Sequence, residues 1–500
     1  ATVIPYLTHM KKLLILCLLL SILVPCDAQN KIMDNDVYHE WFTIQNPKIS
    51  NNGQWVVYNL SREDGDGSLK IYNCKSDRTI TLDRASKFQI SEDSRYVVSM
   101  LSAPIDSVKA MRRKKVKEKD LPKDTLLIYD LNSNSITRIP NVKSYKMPEK
   151  WAGWIAYQME IQKEETKKDT TTEMASDSVA IIKPKKETKD SGTKLVVRNL
   201  KNQEEEIFPF VKKYQLAEEG SKMLFTSTGD DEDWQEGIYL FEFNQKKTTT
   251  LFIKKGKYKN IAMDKNGLQV AFVLDMDTTD NRIRPYQLFY YDGSTQEAGL
   301  IAAPGDRFLP KDWGVSEHYQ PYFSDDGGRL FFCIAPPPIL QDTMLLDDEI
   351  VQVEVWSYTD TRLHTQQKVQ LEQDKKRSYI TSWDTKNGKF QQLASLDLPN
   401  VNIGNEGKAK YALGTYDAPY LSTISWEGFP SYKDIYIINT QNGNRKKIGD
   451  KLRCSPRLSP EGKYAYWYSY PDTAWYAYSV VQQQTRKLTN NNQVAFYREL

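Results

Sequence analysis

The residues of this chain that could do chemistry are few: four histidines, five cysteines and some acidic clusters. Serine catalysis on an α/β-hydrolase sheet needs a Gly-x-Ser-x-Gly elbow, where the nucleophile sits on a strained strand-to-helix turn. No two of the 24 glycines stand four apart, so that elbow is absent from the sequence. His39-Glu40-Trp41-Phe42-Thr43 lacks the second histidine of a zinc-protease helix. Neither a phosphate-cradling loop nor a dinucleotide fingerprint is present. Beyond residue 28 the cysteines are Cys74, Cys333 and Cys454, far apart and without a CxxC. That spacing argues against a zinc site or a disulfide framework. Each lies in or beside a predicted strand and reads as a buried thiol acting as a small hydrophobe. His318, just before an opening strand, reads as a structural hydrogen-bonding residue. Glu218-Glu219 and Asp230-Asp231-Glu232-Asp233 could take a cationic group or calcium, but the second lacks the spaced ligands of a calcium loop and reads as a solvated hairpin tip. Trp234, Trp313, Trp356, Trp426 and Trp475 could stack on a ligand and read instead as aromatics packed between sheets. No residue is assigned a catalytic, cofactor-binding or metal role, and no cofactor is expected.

The elements that would position any site announce themselves through a recurring phrase. It consists of an aromatic or Pro, two variable residues, Ser, an acidic or Asn residue, Gly, a polar residue, then alternating apolar residues. Copies are Pro47-Lys48-Ile49-Ser50-Asn51-Asn52-Gly53, Pro321-Tyr322-Phe323-Ser324-Asp325-Asp326-Gly327 and Pro456-Arg457-Leu458-Ser459-Pro460-Glu461-Gly462. A related copy is Phe88-Gln89-Ile90-Ser91-Glu92-Asp93. A tight turn feeding a short alternating strand, repeated along a chain, describes a repeat architecture. Each opening phrase pairs with a closing hairpin, such as Leu69-Lys70-Ile71-Tyr72 with Arg78-Thr79-Ile80-Thr81-Leu82. Eight such units can be read, the third and fourth meeting near Tyr214. Consecutive four-stranded antiparallel units of about 40 to 50 residues are the signature of β-propeller blades. The fold class expected is all-β, a propeller of about seven to eight four-stranded blades, left unclosed if the chain is truncated. An unclosed ring would expose edge strands and favour association.

Composition bounds the function. With 68 basic and 65 acidic residues the net charge is +3, so no global field points to nucleic acid. The abundance of Tyr and Thr, punctuated by Gly, Asn and Asp, favours strands and turns. Met10-Lys11-Lys12 and the apolar run at 13–24 read as a secretion signal, too short to span a bilayer comfortably, with cleavage expected after Ala28. Residues 1–28 are thus an upstream extension plus signal peptide, and 29–500 the propeller, periplasmic or secreted, with no membrane span after cleavage. The charged, Thr-rich segment 159–193 cannot offset its ordering entropy by burial and reads as a disordered insertion. The stretch 336–350 reads as a long loop projecting from the sixth unit. The basic run 109–119 lacks interleaved aromatics and reads as a solvated loop or short helix.

The phrase and signal together resemble the propeller of secreted bacterial serine peptidases of the prolyl oligopeptidase family. The most specific stretches are Gly314-Val315-Ser316-Glu317-His318-Tyr319-Gln320-Pro321-Tyr322-Phe323-Ser324, Leu346-Asp347-Asp348-Glu349-Ile350 and Lys376-Arg377-Ser378-Tyr379. They are similar to a subgroup found in Bacteroidetes-type bacteria, and Tyr411-Ala412-Leu413-Gly414 and Ser425-Trp426-Glu427-Gly428 extend the likeness. The resemblance implies an α/β-hydrolase domain after the propeller, bearing a Ser-Asp-His triad, with the propeller gating peptide substrates to it. That domain is expected beyond residue 500, so no catalytic residue of the family transfers to a position here. The glutamate pair of the dipeptidyl-peptidase subgroup has no motif match that would assign its role to Glu218 and Glu219. Two other readings stay open: a stand-alone propeller acting as a binding or scaffold module of the cell envelope, and a propeller with its own pocket activity, such as a glycosidase needing convergent carboxylates.

Overall fold

The computed structural model describes residues 41–161, 190–230, 232–346, 348–351 and 353–489. The predicted leader, His39, most of the charged segment at 159–193, Asp231, Asp347 and the end of the chain lie outside the described residues.

The phrase that recurs in the sequence is a hydrogen-bonded turn. In the copy at Ser324, the backbone N–H of Gly327 donates to the Ser324 carbonyl (2.8 Å) and that of Arg329 to Ser324 Oγ (2.9 Å). Ser324 Oγ in turn donates to Asp326 Oδ1 (2.6 Å). Ser50 does the same with Asn52 (2.7 Å) and the Trp55 N–H (3.0 Å), and Ser91 with Asp93 (2.5 Å) and the Tyr96 N–H (2.8 Å). The seventh position must adopt a left-handed backbone, with φ of 66° at Gly327 and 69° at Gly462, which glycine adopts without a Cβ clash. Ser94 takes φ of 57° in the copy that lacks glycine. The turn therefore closes the register between the lead strand and the second strand of a unit.

Each turn begins an antiparallel meander. The first sheet holds Phe42–Ile49, Trp55–Arg62, Ser68–Asn73 and Arg78–Asp83 in sequence order. With the exposed helix Ile105–Arg113 it belongs to a compact unit formed by residues 41–87 together with 101–122. The helix covers the first half of the basic run, and it is tied down by Lys109 to Asp64 (2.6 Å) and by the Ile105 N–H to Asp66 (3.0 Å).

The second compact unit, made of the described residues of 88–100 and 123–489, carries the rest. Its sheets run Ala85–Ile90 to Ser135–Ile139, Val142–Lys146 to Lys247–Ile253, Lys257–Met263 to Gly299–Ala302, Gly314–Val315 to Phe390–Gln392, Asn400–Asn402 to Arg445–Arg453 and Arg457–Leu458 to Gln484–Lys487. The sheet from Val142 to Ile253 has seven strands because the twelve-residue strand Glu205–Leu216 serves two meanders. Its first half pairs with Thr193–Asn199 and its second with Lys222–Ser227. The register shifts between Val211 and Lys213, next to Phe210 at φ of 49°, so the strand bends there at a bulge.

Alternation along the strands feeds one face of a sheet to the preceding sheet and the other face to the next. Ile261 and Phe272 pack with Leu224 and Ile238 of the sheet before, while Ala262, Ala271 and Val273 pack with Leu330 and Phe332 of the sheet after. Ala412 and Ile438 face back to that same core, and Leu413 and Ile437 face forward to Trp467 and Tyr478. Consecutive four-stranded meanders packed face to face in this way are propeller blades. The chain is an all-β protein of the β-propeller class. In the sixth blade the connection from Arg329–Ala335 to Tyr379–Asp384 includes the helix His364–Lys375, none of whose residues is buried.

Candidate functional site: a cavity walled by lead strands

Side chains from the lead strands of several blades meet around two adjoining cavities in the second unit. One, about 570 Å³, is walled by Lys146 at the end of Val142–Lys146, by Lys212 to Gln215 of Glu205–Leu216, by Ile261 to Met263, and by Gln320 to Tyr322. The other, about 610 Å³, shares Lys146, Gln215, Met263 and Tyr322 and adds the turn residues that follow the lead strands. Volumes of this order suit small ligands or a short run of peptide. Both exist because the lead strands end in the phrase, whose turns bring residues such as Glu218, Lys265 and Asp325 to the rim.

The two cavities differ in charge. The larger has carboxylates in its wall, and two of them, Glu218 and Asp325, are ion-paired. Lys150 Nζ sits 2.6 Å from Glu218 and 3.1 Å from Glu219. Lys265 lies 3.8 Å from Glu219 and 3.2 Å from Asp325, and Asp325 also pairs with Lys408. Hydrogen bonds from Lys408 and Lys265 hold the Asp325 carboxyl below its ordinary range. The carboxylates of Glu218 and Glu219 therefore converge on an ammonium, as a site for a cationic group requires, but that ammonium is the chain's own Lys150.

The smaller cavity has no acidic residue in its wall. Lys146 Nζ donates to the Tyr214 carbonyl (2.9 Å) and lies 5.1 Å from the Tyr214 ring centroid. Burial lowers the pKa of Lys146, and burial together with the Lys259 charge lowers that of Lys213. Lys259 itself is bound to Glu317 (2.7 Å), which also accepts from the Tyr286 hydroxyl (2.8 Å). Burial pushes the Tyr214 phenol up to about 12, and Tyr322 higher still, so both stay protonated at neutral pH.

Apart from Glu218 and Glu219, the residues singled out in the sequence fall elsewhere. His318 reaches a third cavity of about 230 Å³ floored by Trp313, where its backbone N–H donates to Ser316 Oγ (3.2 Å). Asp230 caps its own turn, accepting the N–H groups of Glu232 (3.0 Å) and Trp234 (2.8 Å). Among the described residues no cluster of His, Cys, Asp or Glu could hold a metal ion. Trp234 packs on Phe208, Phe225 and Tyr239, Trp313 on Tyr379, and Trp475 on Tyr468. Trp356 and Trp426 are exposed, Trp356 stacking on His364 at 4.7 Å. Cys333 and Cys454 are buried as expected, but Cys74 is exposed, because it follows the last residue of Ser68–Asn73 and enters a turn. The lysines of the smaller cavity had no sequence signal beyond the pair Lys212-Lys213, since their convergence depends on two strands far apart in the chain.

The fold thus defines a propeller, and comparison with known proteins goes no further than that. No protein-family model matches the sequence, and no curated protein matches it. Similar solved structures include the β-propeller domain of the trilobed protease from Pyrococcus furiosus, at 13% identity and TM-score 0.31, covering 82% of this chain and 99% of that one. An acylaminoacyl peptidase from Pyrococcus horikoshii is similar at 12% identity and TM-score 0.32, with 87% and 59% covered. Dipeptidyl peptidase 4 from Porphyromonas gingivalis is similar at 11% identity and TM-score 0.37, with 90% and 53% covered. The chain spans little more than half the length of these two peptidases. Likeness this low carries no argument about chemistry, which has to come from the chain itself.

Among the described residues no helix is long and apolar enough to cross a membrane.

Proposed function

We propose that this chain is the propeller part of a secreted serine peptidase of the prolyl oligopeptidase type, and that it gates the passage of extended peptides to a hydrolase domain lying outside this sequence. One observation carries the reading. The stretch with the most specific family resemblance, 314–324, supplies Gln320, Pro321 and Tyr322 to the smaller cavity and Tyr322, Phe323 and Ser324 to the larger. Residues that carry the resemblance are thus wall residues where a peptide would pass. The sieve is steric: a cavity of this size admits an extended chain and excludes a folded domain. The chain brings no nucleophile elbow of its own, so its share of the reaction is selection and not bond cleavage.

Two measurements test this. The reading frame beyond Leu500 is expected to reach a Gly-x-Ser-x-Gly within a few hundred codons. The purified chain is expected to bind a fluorescent extended peptide, to ignore the same sequence inside a folded protein, and to leave chromogenic peptides uncleaved. Cleavage blocked by a serine-reactive inhibitor would contradict the assignment, and equal binding of the folded form would favour a scaffold module.

A further inference from the structure

Lys146, Lys212 and Lys213 bring three ammonium groups to one cavity wall that contains no carboxylate. None of the three makes an ion pair with a described carboxylate, whereas every lysine named above at the larger cavity except Lys146 does. An uncompensated cluster of like charge in a recess is unfavourable in the empty protein, and burial adds to the cost. Burial lowers the pKa of Lys146, and burial together with the nearby Lys259 charge lowers that of Lys213. An arriving anion offsets the like charges and gains charge-assisted hydrogen bonds from the ammonium groups. The rest of the wall comes from Gln158, Tyr214, Gln215, Ile261 to Met263 and Gln320 to Tyr322.

We infer that this cavity is a carboxylate-binding subsite that selects peptides carrying a negative charge. The subsite rests on the proposed passage of peptides and adds to it a preference by charge. The adjoining cavity is lined by the carboxylates of Glu149, Glu218, Asp264, Asp325 and Glu406 and offers no comparable pull on an anion. Two sources supply the carboxylate, an Asp or Glu side chain or the free C-terminus of the peptide.

The test is titration calorimetry on the full chain with three peptides of equal length: an acidic one with an amidated C-terminus, a neutral one with a free C-terminus, and a neutral amidated one. Either or both carboxylate-bearing peptides should bind at least about ten-fold more tightly than the neutral amidated peptide, since a charge-assisted bond contributes on the order of 1.5–3 kcal/mol. Which of them binds identifies the source. The preference should shrink as salt is raised, and should be lost in Lys146→Gln/Lys213→Gln. Lys213→Glu should transfer the preference to a lysine-containing peptide, a gain that misfolding would not produce. Equal binding of all three peptides overturns the carboxylate subsite and leaves peptide passage standing. If none of the three binds, peptide passage fails as well. Retention of the preference in the double variant also overturns the subsite.

Discussion

Replacing Ser324 by alanine tests whether the recurring phrase is a structural device and not a by-product of composition. Ser324 is only 2% exposed. Its Oγ accepts the Arg329 N–H at 2.9 Å and donates to Asp326 at 2.6 Å. Removing the hydroxyl leaves a buried backbone donor without its acceptor, which costs about 1–3 kcal/mol. It also takes from Asp326 the hydrogen bond that does most to hold its carboxyl below the ordinary range, leaving the Gly328 N–H at 3.1 Å. A net loss of about 2 kcal/mol follows for Ser324→Ala. Ser459 occupies the same place in a more exposed copy of the turn, accepting the Tyr464 N–H at 3.0 Å. There water can take over the bond, and Ser459→Ala should cost about 0.5 kcal/mol. Urea unfolding followed by tryptophan fluorescence reads both, with Trp383 and Trp467 as buried reporters in the two blades. If the two substitutions shift the midpoint equally, or Ser324→Ala is silent, the hydroxyl is not what holds the turn.

Further outcomes follow from other parts of the molecule. Phe272 is fully buried and stacked on Phe289 at 5.2 Å, so Phe272→Ala should cost about 3–5 kcal/mol in the same assay. Exposed Cys74 should be alkylated by iodoacetamide in the native protein at pH 8, while Cys333 and Cys454, whose thiols burial pushes up, Cys454 to about 12, should react only on unfolding, as read by peptide mass spectrometry. Burial raises the pKa of Asp434, but Lys447 at 2.8 Å, the Lys451 N–H and the Tyr420 hydroxyl together bring it below its ordinary value. A carboxyl lowered in the folded state stabilises above its unfolded pKa of about 3.9 and loses that contribution as pH falls through the folded value. Asp434→Asn should therefore lower the unfolding midpoint at pH 6, and the gap to the parent chain should narrow below pH ~4.

Much of the blade structure is legible in the sequence because it is local. A phrase of seven residues fixes a turn, and alternation on either side fixes which face each strand buries. The hairpin Leu69-Lys70-Ile71-Tyr72 with Arg78-Thr79-Ile80-Thr81-Leu82 pairs as read, Leu69 opposite Leu82 and Ile71 opposite Ile80. The meeting of the third and fourth units near Tyr214 is a different matter. The sequence suggests a boundary, but the chain runs through it as one strand, because a bulge at Val211 can bend a strand without any turn residue to mark the place. The helix His364–Lys375 was not legible either: it buries no residue, so no apolar period marks it. The charged cavity was the least legible feature. Lys146 and Lys213 are 67 positions apart in the chain, and Gln320 is farther still. Their convergence is set by how blades pack, which no local pattern records.

The strand Glu205–Leu216 has a consequence for how the protein comes apart. Elsewhere in the second unit neighbouring blades are joined by a connecting peptide and by side-chain packing, so one blade can open while the next stays closed. The seven strands from Val142–Lys146 to Lys247–Ile253 instead share one continuous ladder of hydrogen bonds. Their amide protons should exchange with deuterium through a common opening, with the central strands Thr193–Asn199 and Lys222–Ser227 keeping pace with each other. A circular permutation that cuts the chain at 254–256, between Lys247–Ile253 and Lys257–Met263, falls in a joint between blades. A cut at 209–211 falls inside the strand that makes two blades a single cooperative block.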